Sequence, residues 1–259
     1  VSSLYASDIN AGALEILKAR LRMKTDKKID DRRFVWGNIL IEDLFEGTPF
    51  DLIASNPPHM KQDEFSFIKD KLRSFTSFSH NTDLYCYYAE RAFGLVTEGG
   101  GVGMLMSNRW MRAAYGAGLR SFLSLKNMTE IVDYANIPPV KGICTPLSII
   151  AGSNEPPSEE LRVTVVEDTD YENISLYVEE EKTDIDRSAL SDGEWVFDPE
   201  ETAALMNKLN DIGTPLEEYV EGRIYRGILT GLNEAFAPDR AVAEKLIERD
   251  PNSSKILRP

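Results

Sequence analysis

Cysteine and histidine are scarce, with two of each in 259 residues. Cys86 and Cys144 cannot build a disulfide scaffold or a thiolate cluster, so the default reading is a reduced, cytoplasmic chain. His59 and His80, with no cysteine or carboxylate pattern at ligand spacing, make no zinc site, and no metal is expected. Long apolar runs are missing too. No stretch approaches the roughly 20 residues of a spanning helix, which excludes a transmembrane protein. The opening Val1-Ser2-Ser3-Leu4-Tyr5 has neither the basic nor the apolar region of a signal peptide. It also lacks an initiator methionine, so the start reads as that of a fragment or a processed chain. No Gly-x-Gly-x-x-Gly phosphate fingerprint is present, and Gly99-Gly100-Gly101 reads as a turn. Repeats, low-complexity tracts and heptads are absent.

Acidic residues, in contrast, are plentiful: the formal charge is −14 and the pI about 4.7. They are concentrated. Residues 1–150 hold 18 basic and 17 acidic side chains, 155–201 hold 3 and 17, and 202–259 hold 8 and 9. A low overall pI argues against a polyanionic partner. Confined to one block, it argues only that this block faces none, and the block reads as a solvated connector or a surface suited to high salt.

Hydrophobic residues make up 42% of the chain, enough for a substantial core. Leu4–Ser7 reads as a strand ending at Asp8, and Leu14, Leu17 and Leu21 mark an amphipathic helix over about 11–24. Phe34–Trp36 and Phe50–Ala54 are further strands, the latter stopped by Asn56-Pro57-Pro58. A polar stretch with scattered phenylalanines (65–78) precedes a helix over about 83–96. A strand over 102–106, a helical stretch over about 109–123, and strands at 130–133 and 147–150 follow. Strands alternating with helices of this length predict an open, mostly parallel α/β sheet. Beyond Gly152, strands are expected at 161–166 and 174–178, and a helix over about 199–209 with Asp198 as N-cap and Pro199 at N1. A β-like stretch at 222–231 and a helix over about 241–249 complete the reading.

The informative tetrapeptide is Asn56-Pro57-Pro58-His59, directly after a buried strand. Open α/β sheets bind ligands at the carboxyl ends of their strands. The Asn56 amide and the Pro57 carbonyl offer two acceptors on a stiff loop, suited to gripping a substrate amino group through both hydrogens. An aromatic ring in fourth position can stack on a flat substrate. A rigid strand-to-helix turn without chemistry is the other reading of Asn-Pro-Pro.

Phe50-Asp51-Leu52-Ile53-Ala54-Ser55-Asn56-Pro57-Pro58-His59 resembles the Phe-Asp-Leu-Val-Ile-Gly-Asn-Pro-Pro-Tyr signature of S-adenosylmethionine-dependent, adenine-specific DNA methyltransferases. The resemblance is to the large type II family of fused restriction–modification and phage-defence enzymes, and it continues in order along the chain. Tyr5–Asn10 is similar to the segment whose acidic residue holds the cofactor ribose. Gly37–Leu40 is similar to the one contacting the cofactor adenine. Asp83-Leu84-Tyr85 with Glu90-Arg91-Ala92 resembles the following helix. Gly99–Arg112 and Lys141–Thr145 resemble the next strand and a loop near the target base. Arg226–Phe236 resembles the opening of target recognition.

The resemblance implies an α/β, Rossmann-like methyltransferase sheet truncated at its N-terminus, then an α+β connector and the start of a target-recognition domain. The corresponding spans are 1–153, 154–201 and 202–259. It implies methyl transfer from S-adenosyl-L-methionine to the exocyclic amine of adenine in double-stranded DNA, within a restriction–modification system with a fused or separate nuclease. Asn56, Pro57, Pro58 and His59 would form the catalytic loop, while Asp8, Ile9, Asn38, Ile39 and Asn56 would hold the cofactor. The family's first cofactor loop falls before residue 1, so this piece alone is expected to be inactive. His59 replaces the usual Tyr or Phe, and Ile137–Lys141 lacks the aromatic often found opposite the flipped base.

Arg223 and Arg226, flanking glycines, are the favoured phosphate contacts. Arg109, Arg112 and Arg120 are either phosphate contacts or exposed helix positions. Asp83 either serves the site or caps its helix. His80 reads as a surface residue. The run Tyr85–Tyr88 and both cysteines read as packing. Competing functions are a DNA-recognition module without catalysis, and a methyltransferase acting on an RNA base or a protein glutamine.

Overall fold

A computed structural model describes residues 3–257 apart from 27, 61, 136, 138–144, 168–172, 188–189, 191–192, 198–199, 224 and 226–238. The chain divides into two compact units, 1–198 and 199–259. In the first, β1 (Ala6–Asp8) leads to α1 (Ala11–Lys24), whose N-cap Asn10 accepts from the Gly12 and Ala13 N–H groups. Then come β2 (Phe34–Trp36), β3 (Phe50–Ser55), α2 (Leu84–Leu95), β4 (Val96–Ser107) and α3 (Ala117–Ser124). Next are β5 (Asn127–Asp133), β6 (Leu147–Ser153), β7 (Glu160–Val165), α4 (Ile174–Glu181) and β8 (Thr183–Asp186).

β1 and β2 form a parallel pair. The other strands form one sheet in the order β3-β4-β6-β5-β7-β8. Strands β3, β4, β5 and β7 run one way, and β6 and β8 the other. The expectation of a mostly parallel sheet therefore holds for strand direction but not for pairing, because β6 inserts antiparallel between β4 and β5. Alternating Val102, Met104 and Met106 on β4 bury completely or nearly so, and α2 covers them with Tyr85, Cys86, Ala89 and Phe93.

Four further expectations are corrected. Gly99–Gly101 belong to β4 instead of forming a separate turn. Phe50 pairs with Val96 but Leu52 with Gly101, so β4 bulges outward over the residues between, with Gly99 at φ 76. The helix expected over 109–123 is broken into two 3-10 turns, Asn108–Met111 and Ala114–Gly116, before α3. Residues 174–178 form α4, not a strand. Ile174, Tyr177 and Val178 share a helical face against Val132 and Leu147, and Asn173 caps the first turn through Ser175 N–H.

Finally, the acidic stretch is no mere connector. It contributes β7 and β8 to the sheet, and its Trp195 is buried against Trp110 with ring centroids 5.2 Å apart at 70°. Among the described residues its acids are exposed, while Leu161, Val163 and Trp195 supply the apolar side.

The second unit contains α5 (Glu200–Ile212), α6 (Leu216–Tyr219), α7 (Arg240–Arg249) and a closing 3-10 turn, Pro251–Lys255. Glu221 and Gly222, both at positive φ (54° and 70°), end α6 in a left-handed turn. Of the β-like stretch expected at 222–231, residues 224 and 226–231 lie outside the described residues.

Candidate functional site

The loops expected to carry chemistry each follow the carboxyl end of a strand: Asp8-Ile9 at β1, Asn38-Ile39 after β2, and Asn56–His59 after β3. In the last of these Pro57 is buried while Asn56, Pro58 and His59 are exposed. The buried ring anchors the loop and leaves the Asn56 amide open to a ligand. The loop is also tied to α2, since Leu84 N–H donates to Met60 O at 3.2 Å.

His59 lies against Tyr85, with ring centroids 5.6 Å apart and planes tilted by 58°. Solvent reaches one side of the imidazole and protein crowds the other. That burial holds its pKa below the ordinary histidine value, against the opposing charge of Asp83. The neutral ring is therefore the dominant form at neutral pH.

Asp83 stands at the N-cap position of α2, yet its side chain makes no capping hydrogen bond. Its carboxylate instead acts on Tyr85 and Tyr115, whose hydroxyls are 2.8 Å apart. Burial raises both phenols far above their usual range, and Asp83 adds to the effect.

At β1, one Asp8 oxygen accepts from Asn10 N–H at 2.7 Å, and the Asp8 carbonyl accepts from Gly37 N–H at 3.1 Å. The indole N–H of Trp36 donates to Ile9 O at 2.9 Å. Ile9 and Trp36 are 61% and 69% exposed, an unusual amount of open apolar surface beside a polar loop. Around Asn38 the chain makes a tight turn. The Asn38 carbonyl accepts from Ile41 and Glu42 N–H, its N–H donates to Glu42 Oε1 at 2.9 Å, and its Oδ1 accepts from Leu40 N–H at 3.1 Å.

One helix runs past all three loops. On α2, Tyr85 meets His59, and Tyr88 lies close enough to Asp8 for that charge to add to the burial that raises its pKa. Arg91 donates to Ile39 O at 3.0 Å. Steps of three residues keep such positions on one slowly turning stripe of a helix. Of the run Tyr85–Tyr88, expected to pack, Tyr85 and Tyr87 are core. The stripe itself shows in the sequence only as the spacing 85, 88, 91.

The basic candidates separate by burial. Arg109 and Arg112 are exposed after the carboxyl end of β4. Arg120 is 3% exposed and donates to the carbonyls of Trp110 and Ala113, so both earlier readings of it, as a phosphate contact or an exposed position, are overturned. Arg223 is exposed and ion-paired with Glu221, and Arg226 lies outside the described residues, as does most of Lys141–Thr145. His80 is exposed, Cys86 is fully buried, and Cys144 is outside the described residues. Among the described residues no group of three or more His, Cys, Asp or Glu could hold a metal, and no helix is long and apolar enough to cross a membrane.

A family model, that of the Eco57I restriction-modification methylase, matches residues 2–139, more than half of the chain. The type II methyltransferase M.BstVI of Geobacillus stearothermophilus is 31% identical over 85 residues, which cover 32% of this chain and only 15% of that protein. Among solved structures, the type IIG restriction endonuclease BpuSI is similar with a TM-score of 0.60 at 14% identity, over 95% of this chain and 33% of that one. The methyltransferase subunit of a type I restriction-modification system from Streptococcus thermophilus has a TM-score of 0.54 at 14% identity, over 71% of this chain and 45% of that one. These likenesses are of fold, and they match the methyltransferase-type α/β sheet expected from the sequence.

Proposed function

The chain belongs to the Eco57I restriction-modification methylase family, and from that premise we propose that it is an adenine-specific DNA methyltransferase that uses S-adenosyl-L-methionine. The observation that carries this reading is the exposed Asn56 on a loop anchored by buried Pro57, with the Ile39 carbonyl of a second strand-end loop held by Arg91 of α2.

The donor set suits the cofactor. Asp8 keeps one carboxylate oxygen beyond the one engaged by Asn10, free to accept from a ribose diol. Ile9 and Trp36 offer apolar surface to a flat purine. Asn38 spends its Oδ1 on Leu40 and retains amide hydrogens for a ring nitrogen, with Ile39 alongside. Bound there, S-adenosylmethionine supplies an electrophilic methyl group on a sulfonium sulfur.

The residues of the chain then act by positioning. Adenine is flipped out of the duplex, since its amino group is unreachable in the stack. Asn56 Oδ1 and the Pro57 carbonyl accept the two amino hydrogens, which aims the nitrogen lone pair out of the base plane. Neutral His59 stacks on the ring, with Pro58 fixing its approach. The amino nitrogen would form its bond to the methyl carbon as the carbon–sulfur bond breaks, the electron pair staying on sulfur to leave the neutral thioether, and the nitrogen would then release one proton to solvent. Alignment of the two reactants provides most of the acceleration. Arg109, Arg112, Arg223 and Arg226 are assigned to DNA phosphates. Residues 1–153 carry the chemistry and the unit from 199 onward begins target recognition, with a nuclease on the same or a separate cytoplasmic chain.

The test is methyl transfer from labelled S-adenosylmethionine by the full-length protein to duplex DNA, RNA and protein glutamine substrates, with product analysis of the DNA bases. N6-methyladenine is expected. Label in RNA or protein alone overturns the acceptor, and absence of calorimetric cofactor binding overturns catalysis in favour of a recognition module. Asn56→Ala should cost about 10²-fold or more in turnover with the fold retained, by analogy with removing one positioned transition-state hydrogen bond.

A further inference from the structure

Arg91 reaches across to the turn that follows β2. Its Nε donates to Ile39 O at 3.0 Å and its Nη2 to Glu42 O at 3.4 Å, so one guanidinium holds two carbonyls of a single turn from about fifty residues away. Hydrogen bonds within the turn, from Leu40, Ile41 and Glu42 N–H to Asn38 and from Asn38 N–H to Glu42, set its internal shape. Its hold on the rest of the unit is less directional: β2 is three residues long in a two-stranded sheet, and the anchors are apolar, Leu40 buried with Phe65, Ile68 and Leu72, and Ile41 packed on the same cluster. Apolar contacts are non-directional and let such a turn tilt. The fork of Arg91 adds directional bonds that fix the Ile39 peptide, and with it the adjoining Asn38 amide. Charge-assisted bonds from a planar fork are suited to this, because the donors keep a fixed spacing.

We infer that Arg91 is a positioning residue for the cofactor: it holds the Asn38–Glu42 turn in the shape that receives the cofactor adenine. The inference rests on the cofactor assignment above. It also gives α2 a role as strut, with Tyr85 at the base-gripping loop and Arg91 at the cofactor loop on one rigid element. The adjacent Glu90 provides an internal comparison. It accepts from Thr76 N–H, Ser77 N–H and Ser77 Oγ, all at 2.8 Å, and so ties α2 to a different loop.

The experiment measures S-adenosylmethionine affinity by calorimetry, and KM and kcat for cofactor and DNA, in full-length wild type, Arg91→Ala, Arg91→Lys and Glu90→Gln. Arg91→Ala should raise the cofactor Kd and KM about tenfold, the effect of losing one to two hydrogen bonds that hold the turn. Its kcat at saturating cofactor should stay within about twofold, and its KM for DNA should not move. Arg91→Lys, able to serve one carbonyl, should fall between. Glu90→Gln should lower Tm while leaving cofactor affinity intact. Wild-type cofactor affinity in a folded Arg91→Ala overturns the inference and leaves the cofactor assignment standing, as does a fall in kcat with unchanged cofactor KM. No binding by wild type overturns the assignment itself. Should Arg91→Ala not fold, Arg91→Lys decides, and wild-type affinity in it overturns the inference.

Discussion

The hydroxyl oxygens of Tyr85 and Tyr115 stand 2.8 Å apart, although 29 residues separate the two in sequence, and Tyr85 has no solvent exposure at all. A phenol sealed in that way has no water to replace a lost partner. The pair therefore joins α2, which backs His59, to the 3-10 turn that precedes α3.

Tyr115→Phe should strand the Tyr85 hydroxyl and destabilise the first unit by about 1–3 kcal/mol. The Tm should fall by roughly 2–4 °C per kcal/mol for a unit of this size. Tyr85→Phe combined with Tyr115→Phe should cost less than the sum of the two, because neither hydroxyl is then left alone. Additive costs in a denaturation cycle would show that the contact contributes nothing.

In the proposed site, His59 should make activity sensitive to acid. Its pKa lies below the ordinary value because burial disfavours the charged form. At neutral pH the ring is uncharged and able to stack. As pH falls through the lowered pKa, it becomes a cation beside a cationic donor, and kcat/KM should fall with an apparent pKa below 6.5. His59→Tyr should remove that acid limb. Asp83→Asn, by deleting the charge that favours the imidazolium, should move the limb to still lower pH.

Trp36 should report on the cofactor if the adenine sits where proposed. Of the three tryptophans, Trp110 and Trp195 are 0–1% exposed whereas Trp36 is 69% exposed and bonded to Ile9 O. Iodide should quench Trp36 selectively, and saturating S-adenosylmethionine should protect it. Trp36→Phe should abolish the quenchable emission and weaken cofactor binding by several-fold, the share of one lost hydrogen bond. Unchanged quenching when calorimetry shows the cofactor bound would place the adenine elsewhere.

Gly116 is fixed by packing. A methyl group there would meet the Trp110 carbonyl oxygen at 1.9 Å, and that oxygen already accepts from buried Arg120 at 2.6 Å. Gly116→Ala must push the backbone apart or displace the guanidinium, a cost of at least about 1–3 kcal/mol. Denaturant midpoints should drop sharply while cofactor Kd in the surviving folded protein stays the same.

The early elements were readable from local signals. Leu14, Leu17 and Leu21 at helical spacing announce α1, and the observed helix runs from Ala11 to Lys24. Asn56-Pro57-Pro58 ends β3 because no strand continues through two prolines. The helix at 84–95 and the short strand at 34–36 followed from composition and period alone. Residues 174–178 show where such reading fails. Ile174, Leu176 and Val178 alternate like a strand, but Ile174, Tyr177 and Val178 also fit a helical face. Only the apolar surface offered by Val132 and Leu147 chose between them.

Sequence by itself thus determined which chemical groups stand at the strand ends and in what order, because caps, prolines and apolar periods act within a few neighbouring positions. Tertiary structure alone decided that β6 runs against its neighbours and that Trp195 closes the core from within an acidic stretch. It also buried Arg120 and brought Arg91 to the Ile39 carbonyl. Each of these depends on a partner brought close only by the completed sheet, where desolvation makes a satisfied hydrogen bond or an apolar contact decisive.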